Sequence, residues 1–218
     1  MVDRKLLTYL EGFITPERKE RFSKVLEERT KFITVAIEDV FQMHNTSAVI
    51  RTCDVFGIQE AHVIEQRFGK RMDKHIAMGA QQWVDIQRYQ NTMDCIQMLR
   101  KKGYKIIATS PSNEAITMHD FVIDQKMALF FGTEKEGLSE TVLREADETL
   151  KIPMFGFSES LNISVSAAIL LQYIVTQLRK TDLAWHLTDD EKLQKRLDWT
   201  MKSVRSVEDI LARFHSIN

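Results

Sequence analysis

Three polar segments of the 218-residue sequence contain the side chains best placed to bind or transform a ligand. They are HNTSAVIRTCDVFG (residues 44–57), FFGTEKEGLSE (130–140) and IPMFGFSESLNISVSAA (152–168). Each lies at the end of a predicted β-strand, and in open α/β sheets ligands bind at the carboxyl ends of the strands. The candidate residues in these segments are Asn45, Arg51, Gly132, Glu134, Gly137, Ser160, Asn162 and Ser164.

Other common kinds of active site are not indicated. No G-x-G-x-x-G follows a predicted strand, which weakens a nicotinamide or flavin interpretation, and no G-x-x-x-x-G-K-[ST] motif predicts a P-loop. No G-x-S-x-G elbow predicts an acyl hydrolase. The six histidines have no ligand-like spacing within a helical turn, so we predict no metal site.

The candidate residues also have ordinary structural interpretations. Asn45 can cap a helix, Arg51 can be a surface cation, and Ser164 can be the N-cap of the helix that follows it. The glycines can serve turns. Each residue alone is better explained in this way, but three polar loops at strand ends of one sheet together favour a ligand site.

The apolar pattern predicts the sheet that must position these loops. Residues 32–40 are β-branched and almost continuously apolar, as in a strand covered on both faces. Alternating strands and helices predict an α/β fold, a mainly parallel sheet with helices on both faces. Further strands are predicted at 61–66, 83–89, 105–110, 127–132 and 148–154. Helices are predicted from Thr46 or Ser47 to Gly57, at 92–102, at 140–146 and from Ser164 onward.

The remaining sequence predicts helical extensions of one α/β domain. In the first thirty residues, two short helices are indicated, the second with Thr15 as its N-cap and Pro16 at its first position. Apolar stripes continue in the polar, helix-forming segment near the C-terminus. We therefore predict an N-terminal extension (1–30), a catalytic domain (31–180) and a C-terminal extension (181–218).

Composition limits the class of protein. Charged residues make up 28% and hydrophobic residues 44%, which is typical of a folded globular chain, and the net charge is −1. The two cysteines, Cys53 and Cys95, lie in apolar stretches and predict buried side chains rather than a disulfide or metal site. No membrane-spanning stretch or secretory leader is indicated, so we expect a cytoplasmic protein.

In their order and content, the three polar segments resemble the successive signature motifs of the SpoU (TrmH-like) branch of the SPOUT RNA methyltransferases. The resemblance covers about residues 30–180. It implies a C-terminal trefoil knot, a homodimer, and transfer of a methyl group from S-adenosylmethionine to a ribose 2′-OH. It also implies that Thr109, Gly132, Ile152 and Leu161 hold the cofactor, largely through backbone groups and apolar walls.

The same resemblance assigns roles to the polar side chains. Arg51 matches the family's catalytic arginine. A guanidinium is a poor base, so we expect Arg51 to grip the adjoining phosphate, place the 2′-OH and stabilise the developing alkoxide. Asn45 and Glu134 would position Arg51 and nearby loops. Ser160 and Asn162 would bind the substrate or the cofactor tail.

The extensions narrow the expected substrate to tRNA. Short helices at both ends resemble the guanosine-18 2′-O-methyltransferases, which act on the D-loop. Basic residues occur in both extensions and in the loop after the second strand, but acidic residues are interleaved with those in the extensions. The cations of that loop, which could reach phosphates, are Arg67, Lys70, Arg71 and Lys74.

Two alternatives remain open from the sequence. One is a 2′-O-methyltransferase of the same fold that acts on rRNA or on another tRNA position. The other is a non-catalytic RNA-binding protein that keeps the knot. The joint presence of Asn45, Arg51, Glu134, Ser160 and Asn162 disfavours the second.

Overall fold

The computed structural model describes residues 2–40, 42–67, 79–133 and 135–217. The chain divides into two compact units. Residues 30–185 form one, which we call the sheet unit. Residues 1–29 and 186–218 together form the other, which we call the helical unit. The two extensions predicted as separate segments therefore belong to one unit.

Seven parallel strands form the sheet, in the order β3-β2-β1-β6-β4-β7-β5. This confirms the predicted α/β fold with a mainly parallel sheet. Only the two-residue strand β5 was not predicted. The strands are β1 (Ile33–Glu38), β2 (Glu60–Ile64), β3 (Asp85–Tyr89), β4 (Lys105–Thr109), β5 (Ile116–Thr117), β6 (Met127–Phe131) and β7 (Glu148–Lys151).

Helices cover both faces of the sheet, as predicted. The helices of the sheet unit are α3 (Met43–Val55), α4 (Thr92–Lys101), α5 (Glu140–Glu145) and α6 (Ile163–Leu178). One apolar cluster joins Val35 and Ile37 of β1 to residues of α3 and α6. A second cluster joins Ala36 to residues of α4 and α5. Because side chains alternate along β1, successive residues of this strand contribute to the apolar clusters on opposite faces of the sheet.

Two predicted helix starts are wrong. The helix α3 begins at Met43, not at Thr46 or Ser47, and the Asn45 N–H already donates to the Gln42 carbonyl. The helix α6 is capped by Asn162, not by Ser164. The Asn162 side-chain oxygen accepts from the Ser164 N–H at 2.9 Å, which satisfies an otherwise unpaired donor of the first turn. Gly57, with φ 79°, follows the end of α3 as predicted.

Four helices are described in the helical unit. They are α1 (Arg4–Glu11), α2 (Pro16–Glu27), α7 (Asp189–Ser203) and α8 (Val207–Ile217). Three of them, α1, α7 and α8, share an apolar seam. Leu7, Leu10 and Leu197 form the buried centre of this seam. Thr15 caps α2 as predicted, with Pro16 at the first helical position. Ion pairs such as Arg196–Glu11 flank the seam.

Both cysteines are buried, as predicted. Across the described ranges, no helix is long and apolar enough to cross a bilayer. The same residues contain no group of three or more His, Cys, Asp or Glu side chains arranged to hold a metal ion.

Candidate functional site

A cavity of about 440 Å³ lies at the carboxyl ends of β4, β6 and β7. All four residues predicted to hold a cofactor line it. Thr109 ends β4, Gly132 follows β6, Ile152 follows β7, and Leu161 precedes α6. Residues far apart in the sequence meet here because the strands are parallel and adjacent in the sheet.

The wall next to β6 depends on two glycines. A Cβ atom at Gly132 would lie 2.2 Å from the backbone C and O atoms of Gly137. Thr133 and Gly137 pair through two backbone hydrogen bonds of 2.9 and 3.0 Å, which close a tight loop. Gly137 has φ 71°, a conformation that side-chain-bearing residues rarely adopt. Both glycines are therefore needed for the loop to take this shape.

Apolar side chains complete the cavity. Leu138, Ile152, Ile163 and Leu170 contribute to its walls, and the Thr109 hydroxyl is directed to the Phe130 carbonyl at 2.7 Å. This hydrogen bond uses the hydroxyl to join β4 to β6. The arrangement, apolar walls with backbone polar groups at strand ends, suits a small molecule with both apolar and polar parts.

The first and third polar segments meet through two asparagines. The Asn162 side-chain amide donates to the Asn45 side-chain oxygen at 3.3 Å. Asn45 is 2% exposed and its own amide donates to the Gln42 side chain at 3.2 Å. The two asparagines therefore connect the start of α3 to the start of α6, in addition to the capping role of Asn162.

The other predicted residues are placed differently. Ser160 is exposed and lines the cavity. Arg51 is exposed on α3, about 9 Å along the helix axis from Asn45, and is not among the cavity-lining residues. Glu134 lies outside the described residues, as do Lys70, Arg71 and Lys74.

Arg67, the described cation of the loop after β2, is paired with acidic groups. It contacts Glu136 and lies 3.8 Å from Asp39. Hydrogen bonding and charge attraction from the Glu136 carboxylate raise the pKa of the Arg67 guanidinium. The positive charge of Arg67 is thus partly balanced within the protein, which weakens its case as a phosphate ligand.

Glu38 is one of several buried polar residues at this edge of the sheet that the sequence analysis does not single out. Glu38 ends β1, is 3% exposed, and accepts hydrogen bonds from Ser139 and Thr92. It was treated as part of an apolar strand. A carboxylate at the carboxyl end of an otherwise apolar buried strand is the signal that could have identified it.

Comparison with known proteins identifies the family. Residues 32–172 match the model of the SpoU rRNA Methylase family. The chain belongs to this methyltransferase family. The predicted resemblance to SpoU proteins is therefore confirmed.

Individual SpoU-type proteins are similar over most of the chain. A tRNA (guanosine(18)-2′-O)-methyltransferase of Borreliella burgdorferi is 40% identical, with 94% of each chain covered. The crystal structure of the Aquifex aeolicus TrmH/SpoU tRNA modifying enzyme is 28% identical, with a TM-score of 0.78 over 89% of this chain and 98% of that one. An AdoMet-bound rRNA methyltransferase of Sinorhizobium meliloti is 25% identical, with a TM-score of 0.60 over 70% of this chain and 59% of that one.

Proposed function

We propose that the chain transfers the methyl group of S-adenosylmethionine to the ribose 2′-OH of guanosine 18 in the D-loop of tRNA. The observation that carries the proposal is the cavity at the carboxyl ends of β4, β6 and β7, which is lined by all four predicted cofactor residues. The name of the B. burgdorferi relative supports tRNA and this position. Methylation of rRNA is the alternative, in keeping with the description of the family model.

The cavity suits the cofactor by size and by chemistry. Its volume of about 440 Å³ falls in the range of small-molecule sites. In our proposal, the backbone at Thr109 and Gly132 reads the polar edge of the adenine, while Ile152 and Leu161 contact its apolar surface. S-adenosylmethionine supplies a methyl group on a sulfonium, so the protein must align the reacting atoms and handle one proton.

Arg51 is the residue to which we assign the ribose side of the reaction. A guanidinium stays protonated and can donate two parallel hydrogen bonds to a phosphate. From there, Arg51 would place the 2′-OH and stabilise the negative charge that develops on its oxygen as the proton leaves. The proton would pass to phosphate or water. Methyl transfer of this kind needs no metal ion.

The remaining site residues are assigned supporting roles. Asn45, buried and hydrogen-bonded to Asn162, would hold the start of α3 and so orient Arg51. Glu134 would position the neighbouring loop. Ser160, which is exposed on the cavity rim, and Asn162 would bind the substrate or the cofactor tail.

We also propose a homodimer with a trefoil knot in its C-terminal half, in which each site is completed by the partner subunit. Support for the dimer is the exposed apolar surface next to the site at Phe155, Phe157 and Val165. Support for the knot is the membership of the chain in the SpoU family, for which the resemblance implies this feature. The proposed tRNA substrate implies a cytoplasmic enzyme. In this proposal the extensions hold the body of the tRNA, and sedimentation analysis of the pure protein tests the dimer.

Two measurements test the proposed function. Calorimetry in a chelating buffer should give heat of binding for S-adenosylmethionine, and a strict need for a divalent metal would contradict the proposal. Mapping of 2′-O-methylation in total RNA, with and without the gene, should locate the change at guanosine 18 of tRNA. A change confined to rRNA, or none at all, would favour one of the alternatives.

A further inference from the structure

Glu38 is a carboxylate in an otherwise apolar part of the sheet unit. It lies on the same face of β1 as Ala36, which belongs to the second apolar cluster together with Leu138 and Val142. At 3% exposure the carboxylate has little access to water. A buried carboxylate is destabilising unless hydrogen bonds replace its lost hydration.

Three donors replace that hydration, and two of them belong to one residue. The Ser139 N–H donates to Glu38 Oε2 at 2.9 Å, and the Ser139 hydroxyl donates to Oε1 at 2.7 Å. The Thr92 hydroxyl donates to Oε1 at 2.6 Å. Both carboxylate oxygens are therefore used, and Ser139 is held at two points.

Ser139 is the point where the cavity wall joins α5. It is the N-cap of α5, and it follows directly after Leu138, which lines the cavity. The other end of this wall, Gly132, is fixed by its connection to β6. At the Ser139 end, burial of Leu138 and Val142 holds the chain against the second apolar cluster, and the hydrogen bonds with Glu38 fix the position of the Ser139 backbone and hydroxyl.

We propose that Glu38 is a positioning residue for the cofactor cavity: by fixing Ser139, it sets the position of the cavity wall to which Gly132, Gly137 and Leu138 contribute. This inference rests on the proposed function, because it assigns that wall to S-adenosylmethionine. Glu38 is not among the residues that line this cavity. It acts through Ser139 and affects how well the cavity is preorganised for binding.

A pair of matched variants tests the proposal. Glu38→Gln replaces one carboxylate oxygen, a hydrogen-bond acceptor, by an NH2 group that would face the donors of Ser139 or Thr92. Glu60→Gln makes the same change at another buried carboxylate, 5% exposed, which begins β2 and pairs with Lys102 at the opposite end of the strands. Affinity for S-adenosylhomocysteine, the thermal midpoint, and KM and kcat for tRNA methylation are measured for both full-length variants.

Glu38→Gln should weaken S-adenosylhomocysteine binding and raise the KM for the cofactor by about tenfold, with a much smaller change in kcat. Amide exchange in the peptide 132–142 should become faster. Glu60→Gln should lower the thermal midpoint but keep cofactor affinity within about twofold. Unchanged cofactor affinity in Glu38→Gln, or an equal loss in both variants, would overturn the proposal.

Two further variants keep the proposal testable should Glu38→Gln fail to fold. Ser139→Ala removes one of the two contacts with Glu38 and should weaken cofactor binding. Thr92→Val removes the third donor but leaves both Ser139 contacts, so its effect should be smaller, and the reverse order would contradict the proposal. A wild-type protein that binds no S-adenosylmethionine would instead contradict the proposed function, and this inference with it.

Discussion

Buried polar residues are distributed unequally between the two units. Among the described residues, twelve lie in the sheet unit and two, Arg29 and Thr200, in the helical unit. More than half of those in the sheet unit lie just at or beyond the carboxyl ends of β1, β2 and β3. These are Glu38, Asp39, Asn45, Thr46, Ser47, Glu65 and Thr92. The sheet unit thus concentrates its buried polar groups at the edge that carries the candidate site.

Apart from the buried Arg29, the helical unit forms ion pairs nearer the surface. Lys192 pairs with Glu27, Arg196 with Glu11, and Lys202 with Asp198. Lys192–Glu27 and Lys202–Asp198 are partly exposed, so these pairs contribute little to stability and are screened by salt. Glu11 is only 13% exposed and depends more on its cation. We therefore expect the stability of the sheet unit to depend on single buried polar groups and on pH. The stability of the helical unit should depend on its apolar seam and on salt concentration.

The largest expected effect is the loss of activity in Arg51→Ala. We expect tRNA methylation to fall by at least about 100-fold, since an alkoxide-stabilising donor is removed. Cofactor affinity should change little, because Arg51 does not line the cavity. Arg51→Lys should also be poor, since a point charge does not replace a planar fork. Single-turnover methylation and calorimetry with S-adenosylhomocysteine measure the two quantities.

A matched cavity variant provides the control for Arg51. Gly132→Ala would bring a Cβ within 2.2 Å of the Gly137 backbone, so it should weaken cofactor binding first. If Arg51→Ala lost cofactor affinity as Gly132→Ala does, the assignment of Arg51 to the ribose side would be wrong.

The sequence predicted the sheet better than the site or the helical unit. Continuous apolar runs identify strands such as β1 and β6, since burial on both faces leaves no room for polar alternation. Glu38 lies at the end of such a run and was not predicted as a site residue. Its hydrogen-bond partner Ser139 is 101 residues away, so no local pattern indicates their contact. Leu10 and Leu197 likewise belong to one apolar cluster, although the sequence shows only two separate apolar stripes. Local pattern predicts elements, whereas these pairings depend on how the elements meet.

The second prediction concerns the apolar seam. Leu10→Ala should destabilise the helical unit by about 2–5 kcal/mol, because Leu10 is fully buried there. Cofactor affinity should be retained, since every described residue that lines the cavity belongs to the sheet unit. Leu129→Ala, at an equally buried position in β6, is the matched variant and should reduce both stability and cofactor affinity. Equal cofactor affinity in the two variants would contradict the prediction that cofactor binding depends on the core of the sheet unit and not on the apolar seam of the helical unit.

The third prediction concerns pH. Burial of the imidazole lowers the pKa of His62 from 6.5 to about 4, against a smaller raising influence from Glu60. Between these values the unfolded chain binds a proton that the folded chain does not. Stability from this group is therefore complete above pH 6.5 and is lost as pH falls toward 4. The loss should reach about 2–3 kcal/mol at pH 4.5.

Urea unfolding at pH 7.5 and pH 4.5 checks this prediction. His62→Gln should lose less stability than the wild type between the two values. Tyr89→Phe, which removes the hydroxyl 3.2 Å from His62 Nδ1 but keeps the imidazole, should retain the wild-type pH dependence. The same loss in wild type and His62→Gln would assign the acid sensitivity to other groups.

The prediction with the smallest expected effect concerns the cations of the helical unit, which differ in the residues with which they pair. If the extensions bind the phosphates of tRNA, the logarithm of the binding constant should fall linearly with the logarithm of the salt concentration. Each phosphate contact that is lost should reduce the steepness of this slope by roughly one unit. Arg18 and Lys19 begin α2, and Arg18 contacts the Ser203 hydroxyl rather than an acid in the described part of the chain. Lys195 and Arg196 pair with Asp198 and Glu11.

Neutralising Arg18 and Lys19 together should therefore weaken tRNA binding and flatten the salt slope, with cofactor affinity unchanged. Neutralising Lys195 and Arg196 should mainly lower the thermal midpoint, because it leaves Glu11, only 13% exposed, without its cation. Binding assays with tRNA over a salt series, alongside thermal unfolding, distinguish the two double variants. Should neither change the slope, these cations do not contact RNA. The helical unit would then act through its packing alone, and its ion pairs would be solvated surface rather than a binding face.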